Sequence, residues 1–489
     1  MEIGQIAGDI AWTVVLTTLV SMYALSIAIF LVLENRSPQS TFAWLFLLLI
    51  FPIGGLIIHV MFGRSRHPFS RERVLTKLAA GSSLADRSAR VVAGQPAQLA
   101  ALEADYGDYA RLATMLWRSA RAPLTTRNHL EILQDAAEKY PRLLSDIRSA
   151  SQSIHLLYYE WASDAFTEDV ARLLVDKASQ GVAVRILYDP VGSLTMLSRR
   201  YVRELNRAGV RMHPFSSLYH LHTLSYRSHR KIAVLDGRLG YSGGLNMTRK
   251  HLTGPTGFTG WRDTHARVSG RAVRMLQAVF ATMWQNRTGE NLFDDRYFPD
   301  VSDSGGGVAV QVVSGGPDSQ WEAVRQSYLT MIALARHHLY LQSPFLILDV
   351  SVAEAMKTAA LAGLDIKVMI APRGGEFSPA YRAGMTYAAE MARAGVQVLL
   401  YEGAYFHAKT ACVDSTLCSI GSANMDIRSF SINYETNLVI YDREVTCELE
   451  ADFNADVQHC TLFSVAEYEA RKRTTRFIDS SMRLCSPLL

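Results

Sequence analysis

Two copies of one pattern of ionisable and amide residues occur in the two halves of the chain. Each copy reads His-x-Lys-x4-Asp, continues into a small-residue turn and ends on an asparagine 17 positions after the histidine. The copies are His229, Lys231, Asp236 and Asn246 in the first half, and His407, Lys409, Asp414 and Asn424 in the second. One such pattern arises by chance in about 3 % of chains with this many histidines, so two with equal spacing indicate a function.

These residue types, present twice, suit the transfer of a phosphoryl group. Each motif lies on an apolar segment and is predicted to be a strand, and on a strand the histidine and the lysine project from one face. Two such strands would surround one phosphodiester. The lysines and asparagine amides would hold its non-bridging oxygens, one imidazole would attack phosphorus to form a phosphohistidine, and the other would protonate the departing alkoxide. This chemistry needs no metal ion and no cofactor.

A reacting histidine needs a hydrogen-bond acceptor that fixes its tautomer. Each half offers one carboxylate, counted from the histidine of that half: Asp263 lies 34 positions after His229, and Glu435 lies 28 positions after His407. Because the two offsets differ, a purely structural role remains an alternative for Asp263. A single copy of the motif could likewise be a solvated strand edge, but a matched duplicate is hard to explain in that way.

The residues around the motifs alternate between strand-like and helix-like segments. In the first half, strands are predicted at residues 154–159 and 182–188, with a helix between them. The same order recurs in the second half, where residues 338–341 and 363–370 resemble the two strands. An Ala-Gly-Val triplet follows in each half. A repeat this long predicts two similar α/β halves rather than a solenoid.

The predicted fold class is α/β, with two similar α/β/α sandwich lobes preceded by an N-terminal transmembrane helical hairpin. The predicted divisions are a membrane anchor at residues 1–63, a connecting segment at 64–116, a first lobe at 117–301 and a second lobe at 302–489. The boundary between the lobes is placed at residues 302–307, where Ser-Asp-Ser-Gly-Gly-Gly breaks all periodicity.

Two apolar runs near the N-terminus predict the membrane anchor. Residues 10–33 carry no charged side chain and are about long enough to cross a bilayer as a helix. Residues 42–62 are also apolar, but Pro52 and two glycines interrupt them, so this run is either a kinked span or a re-entrant hairpin. A cleaved signal peptide is the alternative. It fits poorly because residues 1–9 contain two acidic side chains and no basic one.

The basic residues that flank these runs predict an orientation. Arg36 is the only basic residue between the runs, whereas five follow the second run: Arg64, Arg66, Arg71, Arg73 and Lys77. Because positive charge stays inside, the large remainder of the chain is predicted on the cytoplasmic side. The same residues could also lie against anionic lipid headgroups.

The overall composition argues against several other classes of protein. The net charge is +4, from 50 Lys and Arg against 46 Asp and Glu, which is too mild for a typical nucleic-acid-binding groove. The five cysteines lie in the last fifth of the chain and form no CxxC pair. Neither a disulfide framework nor a zinc site is therefore expected, and the thiols are expected to be reduced.

The duplicated motif resembles the signature of the phospholipase D superfamily. The resemblance covers the chain from about Trp117 to the C-terminus. It implies two α/β/α lobes, a phosphohistidine mechanism without a metal ion, and attack by the first-half histidine. On that basis His229 is the expected nucleophile and His407 the expected acid and base, while Asp236 and Asp414 support the site without touching the phosphate.

Within this superfamily the chain most resembles the bacterial cardiolipin synthases. The shared segments are residues 52–55, 62–63, 188–193, 229–231, 261–264 and 424–430, with Asn433 and Glu435. One departure is Ser228, where these enzymes commonly have Asn. The resemblance implies that two phosphatidylglycerol molecules give cardiolipin and glycerol at the bacterial cytoplasmic membrane. Phospholipids are then the expected partners, nucleic acid is not, and the oligomeric state stays open.

Three other functions remain open on the sequence. Water or another alcohol, such as ethanolamine or serine, could attack the same intermediate, which would make the chain a hydrolase or a different phosphatidyltransferase. A membrane-tethered nuclease of the same superfamily is disfavoured by the mild charge. A catalytically inactive lipid-binding protein is disfavoured because both histidines and both lysines are present.

Overall fold

The computed structural model describes residues 2–33, 38–63, 83–216, 225–301, 306–372 and 378–488. The chain divides into two units, each described here by itself. One comprises Met1–Pro68 with Leu218–Ser225, and the other comprises Phe69–Ser217 with Tyr226–Leu489. The basic stretch predicted after the second apolar run, and residues 302–305 of the predicted lobe boundary, lie outside the described residues.

The first unit consists of apolar helices. They are α1 (Glu2–Leu33), α2 (Pro38–Ile50) and α3 (Pro52–Phe62). The second apolar run therefore forms two helices that meet at Phe51, since Pro52 has no N–H with which to continue α2. The hydroxyl of Tyr23 donates to the carbonyl of Pro52 over 2.8 Å, which ties α1 to the start of α3.

No helix among the described residues combines the length and the apolar character that a membrane crossing requires. The prediction of a transmembrane hairpin is therefore not confirmed. For the second apolar run the reason is length. Helices of 13 and 11 residues reach about 20 Å and about 16 Å, against a hydrocarbon core of about 30 Å.

The second unit is built on one long sheet. Its first-half strands are β1 (Thr125–Gln134), β2 (Ser153–Tyr158), β3 (Ala183–Tyr188), β4 (Arg211–Pro214), β5 (Ile232–Leu235), β6 (Leu239–Gly243), β7 (Trp261–Arg262) and β8 (Thr264–Gly270). Its second-half strands are β9 (Val308–Gly315), β10 (His338–Gln342), β11 (Leu346–Ile347), β12 (Asp365–Ile370), β13 (Gln397–Tyr401), β14 (Tyr405–Phe406), β15 (Thr410–Val413), β16 (Leu417–Gly421), β17 (Met425–Asp426), β18 (Glu435–Tyr441) and β19 (Cys460–Leu462). All but the two-residue strands β7, β11, β14 and β17 belong to the fifteen-stranded sheet.

The order of the strands repeats about the centre of the sheet, where β1 pairs with β9. Outward from β1 the order is β8, β6, β5, β2, β3 and β4, and outward from β9 it is β18, β16, β15, β10, β12 and β13, with β19 at the edge. The predicted α/β class and the two similar lobes are thus confirmed. The predicted residue bounds of the lobes, the anchor and the connecting segment stay predictions.

Helices cover both faces of the sheet. They are α4 (Ser83–Tyr106), α5 (Ala110–Ala120), α6 (Asp135–Ser149), α7 (Ala165–Ser179), α8 (Arg199–Arg207), α9 (Lys250–Thr253), α10 (Val273–Thr288), α11 (Ala323–Leu334), α12 (Val350–Leu361), α13 (Pro379–Arg393), α14 (Ile427–Ser431), α15 (Arg443–Val457), α16 (Val465–Ala470) and α17 (Arg473–Leu484). In the first lobe, α6 and α7 pack on one face and α10 on the other. Burial of both faces explains why β5, Ile-Ala-Val-Leu, is apolar throughout.

The repeat predicted from the sequence is confirmed at the level of single residues. The strands β2, β3, β10 and β12 lie where strands were predicted. Gly209 and Gly395, in the matched Ala-Gly-Val triplets, both have positive φ, at 90° and 98°. Each follows a helix and precedes an edge-region strand, a position where glycine avoids the cost of the left-handed region.

Candidate active site

Each His-x-Lys segment lies directly before a strand rather than within it. The strand β5 begins at Ile232, one residue after Lys231, and β15 begins at Thr410, one residue after Lys409. The strands β5 and β15 therefore cover only the segment that follows the lysine, and the prediction of a strand is wrong for the His-x-Lys residues themselves. The backbone N–H of the histidine in each His-x-Lys segment forms its hydrogen bond outside the fifteen-stranded sheet.

The partner of each of these N–H groups is the opposite half of the chain. The backbone N–H of His229 donates to the carbonyl of Tyr434 over 3.0 Å, and that of His407 donates to the carbonyl of Arg262 over 2.8 Å. These hydrogen bonds run between the lobes and not along the sheet, which is why the strand prediction fails at the histidines. The residues that follow Tyr434 and Arg262 are the two carboxylates singled out in the sequence.

The two carboxylates are consequently crossed between the halves. The Nδ1 atom of His229 lies 3.0 Å from Glu435 Oε1, and the Nδ1 atom of His407 lies 2.7 Å from Asp263 Oδ2. The assignment of each carboxylate to the histidine of its own half is therefore wrong. A carboxylate on Nδ1 holds the proton there and leaves Nε2 for reaction, which is the arrangement that a catalytic imidazole requires.

Glu435 is fully buried and held by two hydroxyl groups. Ser429 Oγ donates to its Oε1 over 2.9 Å, and Ser422 Oγ donates to its Oε2. Burial alone would raise the pKa of Glu435, but its interactions with His229, Lys231 and Ser422 outweigh burial and lower the pKa. The carboxylate is thus ionised and can stabilise positive charge on the His229 ring.

Asp263 is held differently, because a glycine replaces the serine at the matched position. Its Oδ1 accepts the backbone N–H of Thr264 over 2.8 Å, and its Oδ2 lies 3.3 Å from the indole nitrogen of Trp261. A Cβ atom on Gly244 would come within 1.9 Å of Asp263 Oδ1. Gly244 therefore makes room for this carboxylate, whereas Ser422 in the other half donates to Glu435.

The two lysines are buried cations that lie close together. Lys231 Nζ donates to the carbonyl of His229 over 2.6 Å, and Lys409 makes the equivalent contact with His407. Burial lowers the pKa of Lys231 to about 7, and repulsion from Lys409 contributes while Glu435 opposes it. Burial likewise lowers the pKa of Lys409 to about 8. Charges this destabilised indicate a site built to receive an anion.

The electrostatic surroundings of His407 link the two motif copies. Burial lowers the pKa of His407 well below its usual value, and Lys409, Lys231 and His229 each lower it further. The ammonium of Lys409 lies 3.0 Å from its Nδ1. Because groups from both halves act on this one ring, the structure brings the two predicted sets together around a single site.

The two asparagines of the motifs are buried beside this site. Asn246 Oδ1 accepts the backbone N–H of Glu160 over 3.1 Å. Asn424 Nδ2 donates to Asp426 over 3.0 Å, and its Oδ1 has no hydrogen-bond partner within the described part of the chain. Their position fits the predicted contact with substrate, and that role stays a prediction.

The aspartates of the motifs lie at the far ends of their strands. Asp236 accepts three backbone N–H groups of residues 151–153 over 2.7 to 2.8 Å. Asp414 accepts three from residues 336–338 over the same distances, together with the Tyr109 hydroxyl over 2.6 Å. Each therefore fixes the start of the strand beside its motif, β2 or β10. This agrees with a supporting role away from the phosphate.

Known proteins are similar in sequence to this chain along nearly its whole length. The family model described as "Cardiolipin synthase, PLD-like domain" matches residues 143–284 and 328–457. The model described as "Phospholipase_D-nuclease N-terminal" matches residues 19–64. The cardiolipin synthase of Geobacillus sp. (strain WCH70) is 35 % identical over 97 % of this chain and 94 % of its own length. The chain belongs to the cardiolipin synthases of the phospholipase D superfamily. It is therefore a phosphatidyltransferase.

Two further similarities fit this membership. The cardiolipin synthase of Listeria monocytogenes serotype 4a (strain HCC23) is 35 % identical over 99 % of this chain and 100 % of its own length. The crystal structure of phosphatidylserine synthase from Haemophilus influenzae Rd KW20 covers 77 % of this chain and 100 % of that chain, with a TM-score of 0.58 and 13 % identity. At that identity the structural similarity supports the fold alone.

Several side chains that complete the site in this cardiolipin synthase family member have no role in the sequence prediction. Ser422 and Ser429 hold Glu435. Asp189 accepts the backbone N–H of Ser228 over 2.8 Å and so fixes the residue before the first-half histidine. Ser422 lies inside the motif itself, so its hydroxyl was a usable signal. Nothing in the sequence pairs Asp189 with a residue 39 positions away.

The crossed carboxylates generate the first prediction. We expect Glu435→Gln and Asp263→Asn each to lower kcat on the order of 100-fold or more, because the loss of charge removes the group that stabilises the opposite imidazole. Turnover of phosphatidylglycerol by the purified variants measures this effect. Glu448→Gln, on the exposed part of α15, is the matched control and should leave kcat unchanged. Full activity in either active-site variant would contradict the assignment.

The buried lysines generate the second prediction. A bound oxyanion favours the charged lysines and raises their pKa, so binding takes up protons. Affinity for sulfate, which does not titrate in this range, should therefore fall as the pH rises through about 7 to about 8. We expect a loss on the order of ten-fold or more between about pH 6 and about pH 9. Calorimetry at several pH values, in buffers of different ionisation enthalpy, measures both affinity and proton uptake.

Lys409→Arg provides the control for this pH dependence, because a guanidinium keeps its charge across the whole range. In that variant the dependence of sulfate affinity on pH should become shallower. Sulfate binding that is independent of pH in the unmodified chain, or that releases protons, would show that the lysines are not the titrating groups.

Proposed function

We propose that this chain joins two phosphatidylglycerol molecules into cardiolipin and releases glycerol, through a covalent phosphatidyl-histidine intermediate. The observation that carries the proposal is the pair of imidazole and ammonium sets, each completed by the carboxylate of the opposite half. Such a site offers a nucleophile, an acid and fixed positive charge to one phosphodiester. Family membership supplies the substrate class.

In the first step, Nε2 of His229 attacks the phosphorus of the donor phosphatidylglycerol. Lys231 and Lys409 hold the non-bridging oxygens, with Asn246 and Asn424 beside them, and stabilise the charge that develops there. The bond between phosphorus and the glycerol oxygen breaks, and His407 donates the proton from its Nε2 to that oxygen. Glycerol leaves, and Glu435 stabilises the positive charge on the phosphorylated ring.

In the second step, the terminal hydroxyl of another phosphatidylglycerol attacks the intermediate. His407, now neutral, accepts the proton of that hydroxyl, with Asp263 stabilising the resulting imidazolium. The bond between phosphorus and His229 breaks as the new ester bond forms. Cardiolipin leaves, and His407 holds the proton needed for the next cycle.

The protonation of His407 depends on the substrate in this scheme. Burial and the two lysines keep the pKa of His407 low. A phosphodiester carries one negative charge and would sit among these cations, so it offsets their repulsion and favours a proton on the ring. The acid is thereby formed only when there is an alkoxide to protonate.

Attachment of the first unit to a lipid bilayer is the second part of the proposal. Large apolar side chains of α1, α2 and α3 lack protein cover; for example, Trp12 is 75 % exposed, Phe46 69 % and Ile53 80 %. An exposed apolar surface of this kind marks a site of contact with a membrane or with another protein. The basic residues after the second apolar run favour the cytoplasmic face of the bacterial inner membrane. Both phospholipid substrates would be concentrated there.

The reaction generates the third prediction. Purified protein with phosphatidylglycerol alone should form cardiolipin and glycerol in equal amounts. The reaction is quenched without acid, which would cleave the bond between phosphorus and histidine. Mass spectrometry of the trapped enzyme should then find the phosphatidyl group on His229, and His229→Ala should abolish turnover. Phosphatidic acid without cardiolipin would indicate a hydrolase instead. A label on His407 would reverse the two histidine roles.

Membrane attachment generates the fourth prediction. The full chain, expressed in a bacterial host, should stay with the membrane fraction after an alkaline carbonate wash, because apolar contacts survive the loss of electrostatic ones. Protease added to intact spheroplasts should leave the second unit uncut if it faces the cytoplasm. Release by carbonate, or cleavage of the second unit from outside, would contradict the respective part of the proposal.

A further inference from the structure

The machinery of the site is nearly two-fold symmetric, but its task is not. Histidine, lysine, asparagine and carboxylate occur once in each half at matched positions. A donor phosphatidylglycerol is different on its two sides, with a large lipid group on one side of phosphorus and a small alcohol on the other. The residues that distinguish these sides must therefore lie where the two halves differ.

The register of the sheet identifies one such position. In the first half Leu157 pairs with Ile232, and in the second half Gln342 pairs with Thr410. Ile232 and Thr410 each follow the lysine of a motif, so Leu157 and Gln342 are equivalent. Three residues further on, the first half has Glu160, and its counterpart is Phe345.

A second register gives the same correspondence. The residue after Glu160, Trp161, bridges to Met247, which follows the first motif asparagine. The residue after Phe345, Leu346, pairs with Met425, which follows the second motif asparagine. The equivalence of Glu160 and Phe345 therefore rests on two independent pairings. One half has a carboxylate where the other has an apolar ring.

The backbone of Glu160 is fixed by the site itself. It lies two residues beyond the carboxyl end of β2, which is parallel to β3, and ligands bind in this region of parallel sheets. Its N–H donates to Asn246 Oδ1 over 3.1 Å, and its carbonyl accepts the N–H of Met247 over 3.1 Å. Glu160 is thus held by the asparagine expected to contact substrate.

The carboxylate of Glu160 is placed to accept a hydrogen bond from a ligand rather than from the protein. Its Oε2 is buried and has no hydrogen-bond partner among the residues that the structure describes. A buried acceptor left in this way is costly and calls for a donor. Burial lowers the pKa of both motif lysines, and Glu160 is among the charges that oppose this, so its carboxylate lies near them.

The negative charge of Glu160 also acts on the side of the site where the alcohol would lie. Burial raises the pKa of Tyr405, and Glu160 is the largest charged contributor. The Tyr405 ring lies 4.4 Å from that of Trp261, which in turn lies 4.9 Å from the ring of His407. His407 is the proposed acid and base, so the leaving and the entering alcohol both pass on this side.

We propose that Glu160 determines the alcohol specificity by accepting a hydrogen bond from a free hydroxyl of the glycerol headgroup. A carboxylate repels the substrate phosphate, so its presence in this site is explained by a neutral donor such as a polyol hydroxyl. Phe345, at the matched position, cannot accept a hydrogen bond and does not compete for that hydroxyl. This inference rests on the proposed cardiolipin synthase reaction and names the residue that selects its alcohol.

The test compares two donors that differ only in the headgroup hydroxyls. Release of glycerol from phosphatidylglycerol and release of propanol from phosphatidylpropanol are measured in the first turnover, in which His229 takes up the phosphatidyl group and no acceptor alcohol is needed. The same detergent micelles are used for the unmodified chain and for Glu160→Gln. We expect Glu160→Gln to lower the first-turnover rate constant of glycerol release from phosphatidylglycerol on the order of ten-fold, as for the loss of a hydrogen bond to a charged group. The value for phosphatidylpropanol should stay within about two-fold, which also reports that the variant is folded.

A matched control and three contrary outcomes complete the test. Glu168→Gln, on the exposed face of α7, should change neither donor. Equal slowing of both donors by Glu160→Gln would assign the residue a general structural role, and no change with either would remove it from the site. Faster release of ethanolamine from phosphatidylethanolamine than of glycerol, abolished by Glu160→Gln, would show an ammonium ligand and overturn the glycerol assignment. Failure of the unmodified chain to release glycerol would refute the proposed function instead.

Discussion

Each reactive histidine is oriented by a carboxylate that the other half of the chain supplies. The backbone enforces this exchange, because the N–H of each histidine is bonded to the residue that precedes the opposite carboxylate. Neither half therefore contains a complete imidazole and carboxylate pair. The continuous sheet, joined at β1 and β9, keeps the two halves in the register that this exchange needs. A duplicated fold gains one active site by this arrangement and not two.

The buried charges follow from the same constraint. Two lysines and two histidines are close together out of water, and the crossed carboxylates, together with Glu160, offset the charge of the lysines. Burial lowers the pKa of both lysines and of His407, so positive charge on these side chains is destabilised. A bound phosphodiester removes part of this destabilisation. Burying these cations costs free energy in the folded chain. Their interaction with the substrate phosphate, and with the negative charge that develops on it, offsets this cost.

Much of the site could be predicted from the sequence because its reactive residues are local. His229 and Lys231 are two positions apart, and the equal spacing of the second copy indicates one shared site. The crossing could not be predicted, since His229 and Glu435 are 206 positions apart and the offsets within each half suggest the wrong partners. The strand prediction failed at the histidines for the same reason, because their N–H groups bond across the lobes. Apolar periodicity does not report such contacts.

The remaining differences arise where sequence patterns carry no three-dimensional information. The sequence predicts an interruption of the second apolar run at Pro52, but not that the run forms two helices of 13 and 11 residues. Glu160 follows a strand with no motif around it, and only the pairing of strands in the folded chain identifies Phe345 as its counterpart. Symmetry shows which residues the chemistry requires of both halves. Departures from symmetry show where the two sides of the substrate are distinguished.

A crystal structure of the full chain with a bound oxyanion, such as sulfate, tests the crossed two-histidine site most directly. One oxyanion should lie within about 3.5 Å of Nε2 of both His229 and His407 and of both lysine ammonium groups. The Nδ1 atom of each ring should still face the carboxylate of the opposite half. Two separate anions, or one anion bound by the residues of a single half, would contradict this account.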